Sequence, residues 1–188
     1  MKNMNIMVVG VGGQGTLLTS RIIGNVALKA GYDVKLSEVH GMAQRGGSVV
    51  TFIRFGEKVS EPVVEVGDAD ILISFERLEA LRYAHFLKKD GTIIVNDCKI
   101  EPMTVVIGSA EYPNDVIETL KKEHNVHVVD GLNIAKELGN SKVLNSVVLG
   151  ASAKYIGFTE EQWIDTIKQT VPPKTIELNI QAFMMGKE

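Results

Sequence analysis

The 188-residue sequence contains a single cysteine, Cys98. One cysteine cannot form an internal disulfide, which excludes a disulfide-stabilised secreted scaffold. Nor can one thiolate hold an iron–sulfur cluster, which normally needs several, so any such cluster must lie on another chain. A chain of this length buries roughly 70% of its unfolded surface, and it therefore needs neither disulfides nor a metal to be stable.

Long apolar runs and clustered basic charge are also absent. No uncharged apolar stretch reaches the roughly 18 residues that span a bilayer. The net charge is −3, and the basic residues are scattered along the chain, which gives no electrostatic footprint for nucleic acid. We therefore expect a cytoplasmic protein with no export signal, whose partners include neither nucleic acid nor a membrane.

Linkers, low-complexity tracts and internal repeats are missing as well. Nothing in the sequence rich in Pro, Gly or Ser marks a domain boundary, and 45% of the residues are hydrophobic, as in ordinary globular proteins. We therefore expect a single domain over residues 1–188.

Short apolar runs and helical patterns alternate in the first 130 residues. The patterns predict strands over 5–9, 32–38, 48–55, 69–74, 92–96, 104–107 and 126–129. They predict helices over 16–29, 78–88 and 114–124. The first two strands and the helix between them form a βαβ unit. The third strand follows the second too closely for a parallel return, which usually needs a dozen or more residues, so the sheet should be mixed.

From residue 133 onward the pattern is helical only. Helices are predicted over 133–138, 142–156, 160–170 and 175–184, and the third of these begins with a capping-box spacing of Thr159 and Gln162. Together the elements predict a three-layer α/β/α fold, with a Rossmann-like, mostly parallel but mixed sheet and a helical C-terminal segment.

A glycine-rich loop joins the first strand to the first helix. It reads Gly10-Val11-Gly12-Gly13-Gln14-Gly15 and has the G-x-G-x-x-G spacing that brings backbone amides and a helix N-terminus to a phosphate. The glycines would equally serve a tight turn with no ligand. Glu38, near the end of the second strand, is the one candidate for binding the ribose of NAD.

A second loop has a higher concentration of reactive and polar side chains than any other stretch of the sequence. It contains a titratable imidazole, an amide, a guanidinium and three glycines, namely His40, Gly41, Gln44, Arg45, Gly46 and Gly47. Arg45 suits a carboxylate or a phosphate, and His40 could donate a hydrogen bond or exchange a proton near neutral pH. The alternative is a surface loop whose Arg45 meets a carboxylate of the same chain. His40 and Arg45 are the candidate catalytic residues, and the glycines, Gln14, Gln44 and Arg45 the candidate cofactor-binding residues.

The other polar residues give weaker signals. Cys98 has no basic neighbour in sequence that would activate it as a nucleophile. The remaining histidines show no ligand spacing, so we predict no metal site. Asn145 and Ser146 lie inside an apolar helix, where they could form a cap or a tie between helices.

These loops resemble those of a known family, the small subunits of the 2-oxoacid:ferredoxin oxidoreductases. The likeness rests on residues 10–15 and on Arg45-Gly46-Gly47, and it continues through 79–82, 145–151 and 171–183. Within the family, residues 37–48 (SEVHGMAQRGGS) resemble the beta subunit of indolepyruvate ferredoxin oxidoreductases.

The resemblance implies oxidative decarboxylation of an aryl pyruvate such as indolepyruvate, giving an acyl-CoA, carbon dioxide and reduced ferredoxin. Thiamine diphosphate supplies the carbanion chemistry of such enzymes. Gly67-Asp68-Ala69 lacks the last glycine of the family's Gly-Asp-Gly motif. By resemblance, thiamine diphosphate and the iron–sulfur clusters belong to a large partner subunit, CoA is a co-substrate, and this chain is inactive alone.

Several alternatives stay open at this point. The chain could be a gamma subunit for pyruvate or another 2-oxoacid, a free NAD-binding domain, or a subunit whose glycines only shape an interface. The stoichiometry is also open, two copies of each subunit being one arrangement, and so is a homodimer of the isolated chain.

Overall fold

The computed structural model describes residues 3–41 and 46–188. Within these two stretches the chain forms one six-stranded sheet and eight α-helices. The strands are β1 (Met4–Val11), β2 (Asp33–His40), β3 (Ser48–Gly56), β4 (Ala69–Ser74), β5 (Leu87–Asn96) and β6 (Asn125–Val129). The helices are α1 (Thr16–Lys29), α2 (Arg77–Tyr83), α3 (Met103–Val106), α4 (Val116–Glu123), α5 (Gly131–Glu137), α6 (Leu144–Ile156), α7 (Glu160–Thr170) and α8 (Ile176–Lys187).

The sheet has the strand order β2-β3-β1-β4-β5-β6. Strand β3 runs antiparallel to both of its neighbours, while β1, β4, β5 and β6 pair in parallel. The prediction of a mostly parallel but mixed sheet is confirmed. Because β3 returns antiparallel through a short loop, it lies between β1 and β2, and the two strands of the βαβ unit are not neighbours.

Helices cover both faces of the sheet, which confirms the three-layer α/β/α prediction. Ile6 and Val8 of β1 pack on one side with α1, α6 and α7, and Met7 and Val9 pack on the other side with α2 and α4. All four side chains are fully buried, as expected for a central strand. Helix α6 contacts β4, β5 and α8, so the helical C-terminal segment extends the first of these layers.

One predicted strand is wrong. Residues 104–107, expected to form a strand, belong to the short helix α3 and the turn after it. The amides of Val106 and Ile107 bond locally, to the carbonyls of Pro102 and Met103. A β-prone run forms a strand only where it pairs with another strand, and β5, the strand that precedes this run, already has β4 and β6 on its two sides.

The predicted helix over 78–88 is too long. Helix α2 ends at Tyr83, a 3₁₀ turn covers 84–86, and β5 begins at Leu87 rather than at residue 92. The polar residues at the start of β5 hide the strand pattern. The other predicted elements form within about three residues of their predicted ends, the bounds of α1 and α7 are confirmed, and α7 begins with the predicted capping box of Thr159 and Gln162. Across the described residues, no helix has the length and apolar character needed to cross a membrane.

Candidate functional site

The first glycine loop leads from β1 into the N-terminus of α1. Gly13 and Gly15 have φ angles of 102° and 85°, a left-handed conformation that glycine adopts at little cost. Gly15 is the N-cap residue, and because glycine has no side chain, none caps the first amides of α1. The first turn of α1 also lacks an acidic residue. The positive end of a 14-residue helix is therefore available to an anion.

The two glycine loops are hydrogen-bonded to each other. The Gly12 amide donates to the Gly47 carbonyl at 2.8 Å, and the Gly46 amide donates to the Gly12 carbonyl at 3.4 Å. This contact follows from the antiparallel pairing of β1 with β3, in which Val11 lies opposite Ser48. The sequence placed both loops at the same edge of the sheet, and the structure brings them together there.

Two predicted site residues lie outside the described part of the chain. Gln44 and Arg45 belong to the segment 42–45, and their binding and catalytic roles stay predictions. Gly41 and Gly46, which flank this segment, are both exposed.

Gln14 has a structural position within the first loop. Its side-chain oxygen accepts the Val11 amide at 2.7 Å, and its side-chain nitrogen donates to the Phe75 carbonyl at 3.0 Å. Gly10 lies beneath it, with the atoms of Gln14 and Phe75 within about 3 Å of the position a Cβ would occupy. The side chain of Gln14 therefore ties the glycine loop to the end of β4.

A cleft of about 260 Å³ opens on the α1 side of the two loops. Glu38 and His40 of β2 line it together with Gly12, Gly13 and the first turn of α1. The Glu38 carboxylate accepts a hydrogen bond from the Thr51 hydroxyl at 3.2 Å. His40 is exposed, and its Nδ1 lies 3.1 Å from the carbonyl oxygen of Gly41. The cleft thus brings a carboxylate and an imidazole to the N-terminus of α1.

A second cavity, of about 460 Å³, lies on the other side of the first loop. Gly13 and Gly15 face Lys142 and Asn145 across it. The side-chain nitrogen of Asn145 lies 3.1 Å from the position of a Cβ on Gly15, so a side chain there would require the Asn145 amide to shift by a few tenths of an ångström. Sequence reasoning missed Lys142, because no local motif links it to a loop more than a hundred residues earlier.

A third cavity, of about 250 Å³, lies behind the second loop on the α2 side. Its lining includes Gly46, Ser48, Glu76, Glu79 and Arg82. These acidic side chains were not predicted as site residues. For Glu79 the sequence offered the helical pattern over 78–88 and the family likeness of 79–82, and for Glu76 it offered no signal.

Glu76 is almost completely buried, with 1% of its surface exposed. Its carboxylate accepts hydrogen bonds from the Tyr112 hydroxyl at 2.6 Å, the Glu79 amide at 2.9 Å and the Ile100 amide at 3.1 Å. Burial and the hydrogen bond to Glu76 raise the pKa of Tyr112 well above its usual range, so the phenol keeps its proton. The Glu76 carboxylate therefore caps α2 and holds three donors around itself.

Cys98 is half-buried beside this cluster. Burial raises the pKa of its thiol, and the nearby Glu76 carboxylate raises it further. Both effects favour the protonated form, in agreement with the prediction that Cys98 is no nucleophile. In the described portion of the chain, no group of His, Cys, Asp or Glu side chains is arranged to hold a metal ion.

Comparison with known proteins places the chain among oxidoreductase subunits. The family model of pyruvate ferredoxin/flavodoxin oxidoreductase matches residues 5–188. The chain is 44% identical to the indolepyruvate oxidoreductase subunit IorB of Thermococcus kodakarensis, over 99% of this chain and 95% of that protein. It is 43% identical to the subunit of the same name in Archaeoglobus fulgidus, over 97% and 93%.

Solved structures show the same fold at lower sequence identity. The pyruvate oxidoreductase subunit PORC of Thermotoga maritima superimposes with a TM-score of 0.72 at 24% identity, over 99% of this chain and 96% of that one. The 2-oxoglutarate:ferredoxin oxidoreductase of Magnetococcus marinus, solved with 2-oxoglutarate, coenzyme A and succinyl-CoA, gives 0.74 at 20% identity. That alignment covers all of this chain and 31% of the longer one. Sequence and fold agree, and the chain belongs to the pyruvate ferredoxin/flavodoxin oxidoreductase family.

Proposed function

We propose that this chain is the small subunit of an indolepyruvate ferredoxin oxidoreductase and is inactive without its large subunit. The complex would convert an aryl pyruvate and CoA to an acyl-CoA and carbon dioxide, with the electrons passing to ferredoxin. Identity of 44% to an indolepyruvate oxidoreductase subunit over nearly the whole chain carries the proposal. The loop over 37–48, which resembles that of the indolepyruvate enzymes, supports the same choice of 2-oxoacid.

The residues of this chain do not fit the iron–sulfur clusters or the thiamine diphosphate of such an enzyme. Its single cysteine is half-buried and carries a thiol of raised pKa, whereas a cluster needs several thiolates. Residues Gly67-Asp68-Ala69 depart from the family's motif for thiamine diphosphate. We therefore assign thiamine diphosphate and the clusters to the large subunit, and we assign to this chain the binding of an anion.

The anion that fits the two glycine loops is a phosphate group of CoA. The uncapped N-terminus of α1 offers free amides and a positive dipole. Lys142 lines the cavity beside the first loop. In sequence Arg45 directly precedes Gly46 and Gly47, which bond to Gly12 of the first loop. The site would also face the active centre of the large subunit, whose chemistry produces the acyl group that CoA accepts.

Anaerobic purification of the native chain from its own cells tests the assembly. We expect a large brown subunit to co-elute, with dye reduction that requires both indolepyruvate and CoA. A colourless, inactive chain that elutes alone would contradict the proposal. It would favour a free nucleotide-binding domain in which Glu38 binds ribose, and a screen for NAD binding would follow.

Substitution of Arg45 tests the role of the second loop. In the assembled enzyme we expect Arg45→Ala to raise the KM for CoA about tenfold or more, because a charge-assisted contact to phosphate is lost. The control is Arg21→Ala, which removes an exposed guanidinium from the middle of α1 and should leave the KM for CoA unchanged. Unchanged turnover and unchanged KM in Arg45→Ala would refute the assignment of this loop to CoA.

A further inference from the structure

We propose that Glu79 is a positioning residue, which holds the described end of the second glycine loop, residues 46–48, in place through Ser48 without touching the substrate. Its effect on CoA binding rests on the function proposed above, whereas its effect on the loop does not. Glu79 lies 31 residues after Ser48 in sequence, and their contact joins α2 to the first residue of β3.

The described end of the second loop, residues 46–48, is held from two sides. On one side, Gly46 and Gly47 exchange backbone hydrogen bonds with Gly12 of the first loop. On the other side, the Ser48 hydroxyl donates to the Glu79 carboxylate. The Gly12–Gly47 bond is 2.8 Å and the Gly46–Gly12 bond is longer, at 3.4 Å, and the Ser48–Glu79 bond adds a side-chain anchor to this end of the loop.

Glu79 is itself fixed before it meets Ser48. It is 4% exposed, and its amide donates to the buried Glu76 carboxylate that caps α2. Its other carboxylate oxygen lies 3.5 Å from the Arg82 side chain, one turn further along α2. A rigid carboxylate is a good anchor, because little side-chain freedom is left to be lost when the bond to Ser48 forms.

Burying a carboxylate at this position carries a desolvation cost. Burial raises the pKa of Glu79, and the Glu76 carboxylate raises it further, while the Ser48 hydroxyl and Arg82 oppose the shift. An apolar side chain would avoid the desolvation cost, but it would leave the Ser48 hydroxyl without this acceptor. Tyr83 is the other polar neighbour, and its hydroxyl oxygen lies 3.3 Å from that of Ser48.

Hydrogen exchange of the isolated chain measures the loop directly. We expect Glu79→Ala to speed exchange of the amides of Gly12 and of residues 46–48 by about tenfold or more, because one charge-assisted hydrogen bond is lost. Ser48→Ala should have the same effect, and the double variant should add little to either single one. Glu79→Gln keeps an acceptor oxygen and should restore most of the protection.

Arg77→Ala is the matched control, because Arg77 lies on the same helix and pairs with Asp97 instead of Glu79. It should leave exchange in the loop unchanged. Equal exchange in Glu79→Ala and the native chain would overturn the proposal. If Glu79→Ala proves unfolded, Ser48→Ala decides alone, since it removes only the hydroxyl that donates to Glu79.

Kinetics of the assembled enzyme separate the two proposals. We expect Glu79→Ala to raise the KM for CoA severalfold with little change in kcat, and we expect Glu79→Gln to recover it. A faster-exchanging loop with an unchanged KM would support Glu79 as the anchor of the loop and refute the assignment of the loop to CoA. A raised KM with a loop that exchanges at the native rate would refute the anchoring role.

Discussion

Helices α6 and α8 are in backbone-to-backbone contact, and a glycine-to-alanine substitution, which adds one methyl group, tests this contact. A Cβ on Gly150 of α6 would lie 2.0 Å from the carbonyl oxygen of Phe183 in α8. The contact is reciprocal, because a Cβ on Gly186 would lie 2.0 Å from the carbonyl oxygen of Val147. Gly150→Ala should therefore force the two helices apart.

The expected cost follows from that distance. Carbon and oxygen approach no closer than about 3.3 Å in ordinary contacts, so the helices must separate by about 1.3 Å. Overpacking of a core costs about 1–3 kcal/mol, and the upper value applies where rigid backbone blocks the way. Alanine recovers about 1 kcal/mol of helix propensity. The net loss of stability in Gly150→Ala is then about 2 kcal/mol.

Gly24→Ala is the matched control, another glycine-to-alanine change inside a helix. Its Cβ would lie 3.8 Å from the nearest atoms, the methyl carbons of Val34 and Leu36, which is an ordinary van der Waals contact. Only the propensity gain remains, so the variant should be more stable than the native chain by up to about 1 kcal/mol.

Thermal unfolding of the native chain and the two variants, followed by circular dichroism, measures both changes. We expect Gly150→Ala to lower the Tm by about 4–8 °C and Gly24→Ala to raise it by about 2–4 °C. Equal stability of Gly150→Ala and Gly24→Ala would mean that α6 and α8 do not pack through these glycines, and the reasoning would fail.

Two further substitutions test the loop and the sheet edge. Gln14→Ala should lower the free energy of unfolding by about 2 kcal/mol in urea titrations, because the Val11 amide and the Phe75 carbonyl both lose their bonds to Gln14; a native midpoint would contradict its structural role. Burial, helped by the Lys154 charge, lowers the pKa of His127, so the folded state favours the neutral imidazole. The stability that the folded state gains from a neutral His127 is complete above the ordinary imidazole pKa of about 6.5. It is lost as the pH falls below this value, because the unfolded chain then binds a proton more readily. Native stability should therefore fall more steeply than that of His127→Gln between pH 7.5 and pH 5.5, and parallel profiles would contradict this.

Local patterns predicted the elements that depend on local chemistry. The periodicity of residues 16–29 was enough to define α1, and Thr159 with Gln162 defined the start of α7. The shortness of the loop after β2 predicted the mixed sheet. Such features depend only on residues that are close in sequence, so the sequence alone is enough to predict them.

Contacts between residues far apart in the chain could not be predicted from the sequence. Residues 104–107 have the composition of a strand, but β5, which precedes them, already has a partner on each side, and composition does not show which edges of a sheet are occupied. The contact of Ser48 with Glu79 and the cavity shared by Gly15 and Lys142 join residues far apart in the chain. Because pairing across the fold creates these sites, no local motif could reveal them.

The position of β1 in the sheet has a consequence for synthesis of the protein. This strand, with Ile6, Met7, Val8 and Val9 in succession, is synthesised before its two partners, β3 and β4, which end at residues 56 and 74. Until both have emerged, an apolar segment of high β-propensity stays unpaired and prone to aggregation. We expect a nascent chain stopped before β4 to depend on chaperones, and a chain that includes β4 to be the first with both edges of β1 covered.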